Sequence, residues 1–365
     1  MTTVRAVEAI PYRLPMRGEL HWGQHGALTR AEYVVVKVTL SDGSTGFADA
    51  PPRPTIYGET VESIRAAVKW IEPRVLGLEV GRSDPLRPPW DLALAPLAFN
   101  FAAKSALDMA LADACLAARG LSLESLLGPI SQAAVSYILG IGDLDTVLTE
   151  AHAAVADGVR VLKVKVGRDL QADLTIVQAL RAELGDEVRL YADSNEMLQA
   201  DTAADHLAKM ASLGLLWVEE PLPVRELLAR QALRARNVLP IIADDSAFGL
   251  DDLRRELAFD TFDILNVKPA RSGFAVSAAM VELARQAGKG VMIGSQAGSG
   301  LGTRSAAIVA SWSGVTHPSE LSFFTRLTRD ILNTRPIIQD GLLDLRQWAV
   351  ATVDEAALED MRLDS

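Results

Sequence analysis

The 365-residue chain, 49% hydrophobic and 23% charged, is too long for one ordinary domain and too apolar for a disordered one, so two domains or a barrel with additions is expected. With 36 Lys and Arg against 47 Asp and Glu, a formal charge of −11, it has no electrostatic footprint for nucleic acid or an anionic membrane, and a small molecule is the expected partner. Its single cysteine, Cys115, excludes an intramolecular disulfide and a multi-cysteine zinc cage. The opening segment MTTVRAVEAIPYRLP lacks the basic and apolar regions of an export signal, and no apolar run of about 18 residues follows. A cytoplasmic, non-membrane protein is the expectation.

Residues 1–128 read as strands followed by helices, an α+β pattern. Strands are predicted at Val4 to Leu14, Glu32 to Leu40 and Thr45 to Ala50, with Ser41-Asp42-Gly43 supplying turn chemistry between the last two. Helical spacing takes over at Glu59 to Ile71, where Ile64, Val68 and Ile71 share a face, and again over the Ala-rich stretch Ala98 to Ala118. The Pro-rich segment from Asp84 to Pro89 between them is a loop.

From about residue 129 to 335, short β-branched runs alternate with helical patterns, the mark of repeated βα units and a parallel sheet. The runs are Ala134 to Leu139, Val161 to Val166, Val188 to Ala192, Leu215 to Val218, Leu239 to Ala243, Phe262 to Val267 and Gly290 to Ile293, with a weaker eighth at Ser319 to Ser322. Eight units suggest a closed barrel. A residue at or beside the end of each run recurs at nearly one interval: Gly140, Lys165, Asp193, Glu219, Asp244, Lys268, Gly294 and Glu320. In a parallel barrel these positions gather at the C-terminal mouth, where active sites are built, so six charged groups should converge. The polar tail from about 336 to 365 is expected to pack back on the first domain.

Asp193, Glu219 and Asp244 end three consecutive strands. One acid at a strand end is usually a helix cap. Three in phase would repel unless a divalent cation joined them, and hard oxygen ligands suit Mg²⁺, with Mn²⁺ possible. Zinc is disfavoured because no His or Cys occupies a strand end. Asn195, Glu220 and Asp245 stand beside these acids, able to orient them or to compete as ligands.

Lys163 and Lys165, two apart in an apolar strand, point to one face, the barrel interior. Adjacent ammonium groups should lower each other's pKa and make an amine usable as a base. Lys268 approaches from the sixth strand, roughly opposite. A lysine on each side of a carboxylate suits proton transfer at the α-carbon, with the cation stabilising the developing enediolate.

Other motifs are less specific. The segment from Gly294 to Thr303 resembles a phosphate loop but lacks its Lys-Ser/Thr pair; its amides suit a carboxylate as well as they suit a flexible helix entry. His21, His25, His152, His206 and His317 lie off the strand-end register, and no Gly-x-Ser-x-Gly supports a Ser-His-Asp triad.

Lys163-Val164-Lys165, Asp193-Ser194-Asn195, Glu219-Glu220-Pro221, Asp244-Asp245-Ser246 and Asn266-Val267-Lys268, with Ala106-Leu107-Asp108-Met109-Ala110 before the barrel, resemble the enolase superfamily. The likeness is to the muconate-lactonizing-enzyme (muconate cycloisomerase) subgroup of the mandelate racemase/muconate lactonizing enzyme family, and it spans nearly the whole chain. It implies an α/β fold, a (β/α)7β modified TIM barrel with an α+β N-terminal capping domain, and specificity set by loops near residues 16–30 and 50–58. It also implies Lys163, Lys165 and Lys268 as catalytic residues and Asp193, Glu219 and Asp244 as Mg²⁺ ligands, in an isomerase or lyase working through an enolate; the Lys-base and Mg²⁺ chemistry is a worked example for this superfamily. Tyr57, Gln296, Glu320 and Ser322 are candidate substrate contacts.

Subgroup membership leaves the substrate open among cycloisomerases, dipeptide epimerases, o-succinylbenzoate synthases and N-succinylamino acid racemases. The Ala50–Pro54 loop with Tyr57-Gly58-Glu59 resembles a lactonizing enzyme. Glu320-Leu321-Ser322 replaces the Asp-x-Asp with which dipeptide epimerases hold an α-ammonium. Asp245 stands where Glu is usual, and Lys268-Pro269-Ala270-Arg271 is an uncommon strand exit. The expectation is a muconate cycloisomerase acting on a small carboxylic acid, with an epimerase as the rival and an inactive carboxylate-binding relative as the non-enzymatic alternative. Homo-oligomerisation is a base-rate expectation.

Overall fold

The computed structural model describes residues 2–22 and 26–363. The amino-terminal region is built on a three-stranded antiparallel sheet ordered Val4–Leu14, Ala31–Leu40, Thr45–Ala50, in register from Ala6 opposite Thr39 to Leu14 opposite Ala31, with a shift between Val4 and Ala6. The central strand carries apolar residues on both faces, and each face has a partner. Val34, Val36 and Val38 join the core formed with the helices Val61–Val75 and Phe101–Ala117. Tyr33 and Val35, with Ile10 and Tyr12, face Leu301, Phe323 and Leu327 of the second domain. That two-sided burial explains the unbroken Tyr33-Val34-Val35-Val36 run, where a sheet with one wet face would alternate.

Helix Val61–Val75 starts on a capping box, the Thr60 hydroxyl accepting from Ser63 N and the Ser63 hydroxyl accepting from Thr60 N. Helix Phe101–Ala117 is buried almost all round because it lies between the capping sheet and the barrel helix Pro269–Gln286. Its alanines let backbones approach closely: a Cβ on Gly46 would sit 2.2 Å from the Ala110 carbonyl oxygen.

The barrel strands Ser136–Ile138, Val161–Lys165, Arg189–Asp193, Leu215–Glu219, Ile241–Ala243, Ile264–Val267 and Gly290–Ile293 pair in parallel in sequence order. The expected eighth strand reduces to one bridging segment. Ser319 O accepts from Ser136 N on one side, and Glu320 N donates to Ile293 O on the other, closing the ring and placing Glu320 inside the mouth.

Beyond the barrel, Leu342–Asp344 pairs with Gln132–Ala134, and the chain continues until Arg362 bridges Tyr12 on the edge of the capping sheet. A hairpin not anticipated from the sequence, Leu20–Trp22 with Gly26–Leu28, hangs over the mouth. Among the described residues no helix is long and apolar enough to cross a membrane.

Candidate active site

Alternation along Val161–Lys165 sorts its side chains. Leu162 and Val164 join the outer core beneath the helices, while Val161 belongs to the barrel interior with Tyr191, Ile242, Ile264 and Met292. Lys163 and Lys165 therefore point inward, above an apolar floor. Glu219 is directly opposite Asp193 in the pairing of their strands, and Asp193 is likewise opposite Lys165. The register expected from the interval of about 26 residues is the register found.

The charges interlock. Lys163 Nζ lies 2.6 Å from Glu320 Oε1, 2.7 Å from Glu219 Oε1 and 3.0 Å from Asp193 Oδ2. Lys165 Nζ donates to Asp193 Oδ2 at 2.6 Å and to Asn195 Oδ1 at 2.9 Å. Across the ring, Lys268 Nζ meets Asp244 Oδ2 at 2.5 Å, and Arg271 Nη2 lies 3.0 Å from Asp244 Oδ1. Asn266 Nδ2 donates to Glu219 Oε2 at 3.3 Å. Asp193, Glu219 and Asp244 are all buried.

Burial drags the Lys163 ammonium down, but Asp193, Glu219 and Glu320 together prevail and hold its pKa well above the usual lysine range. At Lys268 burial is likewise outweighed by Asp244, and the pKa is raised. The expectation that Lys163 would share a lowered pKa with its neighbour is therefore corrected: its surroundings are anionic. Burial also opposes the charge of Asp193, yet Lys163 and Lys165 bring its carboxyl down to about 2. Glu219 is pushed well up by burial despite Lys163.

As placed, the carboxylates turn onto ammonium groups, and among the described residues no three acidic, His or Cys side chains enclose a ready-made cation cage. The donor set nevertheless suits a hard divalent ion: buried carboxylates on adjacent rigid strand ends, two of them already bridged by one cation, the Lys163 ammonium. Asp244 Oδ1 is buried with no hydrogen-bond partner, since Arg271 lies near it but is misaligned.

Other sequence candidates are dispersed. Asn195 and Asp245 line the mouth cavity with Lys163, Lys165, Lys268 and Asp244. Burial, then Asp244, pushes the Asp245 carboxyl up to about 6, and Arg271 Nη1 pairs with it at 3.1 Å. Glu220 faces away from the cavity, where Oε1 accepts from Asp244 N and Ser246 N, so it fixes the strand end instead of facing a ligand. Asn195, Glu196 and Glu220 all have positive φ (43°, 67° and 37°), so the backbone is strained where these two strands end.

Glu320 and Gln296 line the cavity; Tyr57 and Ser322 do not. Tyr57 donates to the Pro51 carbonyl, and Ser322 to the Ser136 carbonyl. Of the histidines, His25 lies outside the described residues, and His21, His152, His206 and His317 stand away from the cavity.

Sequence reasoning named no individual contact among Leu20, Trp22, Arg53 and Ile56, which the capping loops bring over the mouth. Only the general placement of those loops was readable. An arginine inside Pro51-Pro52-Arg53-Pro54 carries no periodic signal.

Residues 2–128 match the model of the mandelate racemase / muconate lactonizing enzyme N-terminal domain, and residues 146–349 match that of the enolase C-terminal domain-like family. The chain belongs to the mandelate racemase/muconate lactonizing enzyme family. It is thus an enzyme of the enolase superfamily, with that family's barrel and capping domain. A muconate lactonizing enzyme from Mucobacterium Smegmatis, solved with muconolactone, superposes with a TM-score of 0.90 at 32% identity, covering 99% of this chain and 100% of that one. An aromatic dipeptide epimerase of Herpetosiphon aurantiacus is 30% identical over 80% of this chain and 82% of its own length. The L-Ala-D/L-Glu epimerase of Bacillus subtilis is 28% identical over 83% and 82% respectively. Family members so similar act on different acids, so the substrate must be argued from the cavity.

Proposed function

We propose that this enzyme interconverts cis,cis-muconate, or a substituted relative, and the corresponding muconolactone by moving the proton α to a carboxylate. The observation that carries the reading is the charge balance of the mouth: amines flank it, and no acid is left over to receive an α-ammonium group. Glu320, the nearest equivalent of such an acceptor, is engaged by Lys163, by Tyr191 OH at 3.1 Å and by Ser295 N at 2.8 Å. Ser322 faces a backbone carbonyl. Leu20, Trp22, Ile56 and Ile138 supply an apolar wall suited to a hydrocarbon spacer.

In this reading Asp193, Glu219 and Asp244 hold Mg²⁺ or Mn²⁺, which supplies positive charge to a carboxylate as its α-carbon loses a proton. Lys163 holds the same carboxylate. In the lactone-opening direction, Lys165 Nζ takes the α-proton, the ring C–O bond breaks, and its electron pair leaves on the freed carboxylate oxygen. In the closing direction the carboxylate oxygen attacks and Lys165 returns the proton. Lys268 faces the opposite side of the α-carbon and provides electrostatic support. Dipeptide epimerisation is the second reading, favoured by the named activities of the two epimerase relatives; there Lys268 is the second base.

Incubation with Mg²⁺ and muconolactone in D₂O tests the choice. Ultraviolet absorbance should report muconate formation, and NMR should show deuterium entering one α-position stereospecifically. Stereorandom exchange on a dipeptide, with no muconate turnover, would replace this reading with the second.

A further inference from the structure

Seven lysine or arginine side chains are buried among the described residues, and six of them pair with a carboxylate. Lys163 meets Asp193, Glu219 and Glu320; Lys268 and Arg271 meet Asp244; Arg230 meets Glu256; Arg304 meets Asp113; Arg326 meets Glu150. Arg53, 2% exposed, is the exception. Its Nε donates to Gln296 O at 2.8 Å, Nη1 to Pro52 O at 2.5 Å and Nη2 to Ala297 O at 2.7 Å. A guanidinium carries five N–H groups; with the Tyr33 hydroxyl oxygen also within its reach, at least one remains. The acid whose field it feels, Asp49, is committed to Ser299 N and Ser299 Oγ, both at 3.0 Å. Beside it, Gln296 is 4% exposed, and its side-chain Nε2 is buried without a hydrogen-bond partner. Both residues line the cavity that holds Lys163, Lys165 and Lys268. Two buried residues with donors to spare therefore border one cavity, and the cation of the pair has no carboxylate within ion-pair distance among the described residues.

We propose that Arg53 and Gln296 form the subsite for a second carboxylate of the substrate, the one remote from the α-carbon. This rests on the reading that the first carboxylate lies among the lysines. The planar guanidinium fork suits a carboxylate in two-point contact, and the Gln296 amide adds a neutral donor. In the lactone-opening direction this is the carboxylate that receives the electron pair of the breaking C–O bond, so the subsite compensates charge that develops during reaction and contributes to kcat as well as to binding.

A test by binding separates this from the substrate assignment. The probes are adipate, a six-carbon dicarboxylate, and hexanoate, its monocarboxylate counterpart, titrated calorimetrically into the Mg²⁺-loaded wild type and the variants Gln296→Glu, Gln296→Leu and Arg53→Lys. The wild type should bind adipate at least about tenfold more tightly than hexanoate, each tenfold being one logarithmic step in affinity. Gln296→Glu should abolish that preference by placing a carboxylate against Arg53, Gln296→Leu should reduce it, and none should change hexanoate affinity. The Gln296 substitutions keep the backbone carbonyl that anchors Arg53, so they stay informative if Arg53→Lys fails to fold. A wild type without preference, or variants that weaken both probes equally, would make Arg53 a loop tether and overturn the proposal. A retained adipate preference, lost in Gln296→Glu, with no muconate turnover would leave the subsite standing and remove only the substrate assignment.

Discussion

Two groups of buried carboxylates hold this molecule together, and they are neutralised by different means. At the barrel mouth, Asp193, Glu219 and Asp244 face the ammonium groups of Lys165, Lys163 and Lys268. At the seam between capping domain and barrel, acids face backbone amides at helix starts. Asp49 accepts from Ser299 N, the cap of helix Gly300–Ala310. Asp108 accepts from Phe274 N at 2.7 Å and from Trp90 Nε1 at 2.8 Å. Within the capping domain, Glu59 is held the same way, accepting from Ala102 N and Ala103 N. Helix-end dipoles are fixed, directional and carry no removable proton. Lysine ammonium groups can release a proton or yield their place to a metal. Chemistry occupies the first set and assembly the second.

The largest departure from wild type is expected at the mouth. Lys165→Ala should lower α-proton exchange by about 10⁴-fold or more, the upper range for a positioned acid–base group, while Mg²⁺ affinity by calorimetry stays within a few-fold. Retained exchange would remove Lys165 from its role. Glu219→Gln should weaken Mg²⁺ binding by about 10²-fold or more, since a neutral amide replaces an anionic ligand. Tight metal binding in that variant would place the cation elsewhere.

The mouth was legible because a barrel converts sequence interval into position. Once the βα units are counted, Lys165, Asp193, Glu219, Asp244 and Lys268 must meet, whatever the loops do. The seam and the lid were less legible. Asp108 lies inside an Ala-rich helix and reads as one polar residue on a buried face; its backbone donor across the seam, Phe274 N, is 166 residues away and becomes acceptor-seeking only because the helix Pro269–Gln286 breaks at Gly273. Arg53 lies between prolines, and its meaning depends on the distant carbonyls of Gln296 and Ala297. Long-range contact between irregular segments leaves no period to detect. The eighth strand gave only a weak run because a single bridge closes the barrel there.

The seam can be broken without touching the chemistry. Gly273 has φ 67° and ψ −171°, a region only glycine occupies readily, and an added Cβ would lie 2.4 Å from Asp108 Oδ2. Gly273→Ala should therefore destabilise by about 3 kcal/mol, read from the urea midpoint, with Mg²⁺ affinity per folded molecule nearly unchanged. An unchanged midpoint would mean that the domains are not joined through this contact.

Asp108→Asn should have the smaller effect, and its pH dependence is diagnostic. Burial pushes the Asp108 carboxyl up to about 6, against the pull of its Trp90 and Phe274 donors. A carboxyl whose pKa is higher folded than unfolded favours the folded state most at low pH, and this contribution falls as pH rises from about 4 through 6. The asparagine lacks that dependence, and its amide nitrogen opposes one of the two donors, for a loss of about 1–3 kcal/mol. Subtracting the two unfolding curves cancels the other titrating groups. The variant's deficit should therefore be greatest near pH 4 and shrink by up to about 3 kcal/mol by pH 7, because the wild type then buries an ion held by uncharged donors, the helix-end amides and the Trp90 indole. A deficit that grows with pH would show that those amides hold Asp108 ionised throughout, and would align the seam with the mouth, where neighbouring cations keep Asp193 charged.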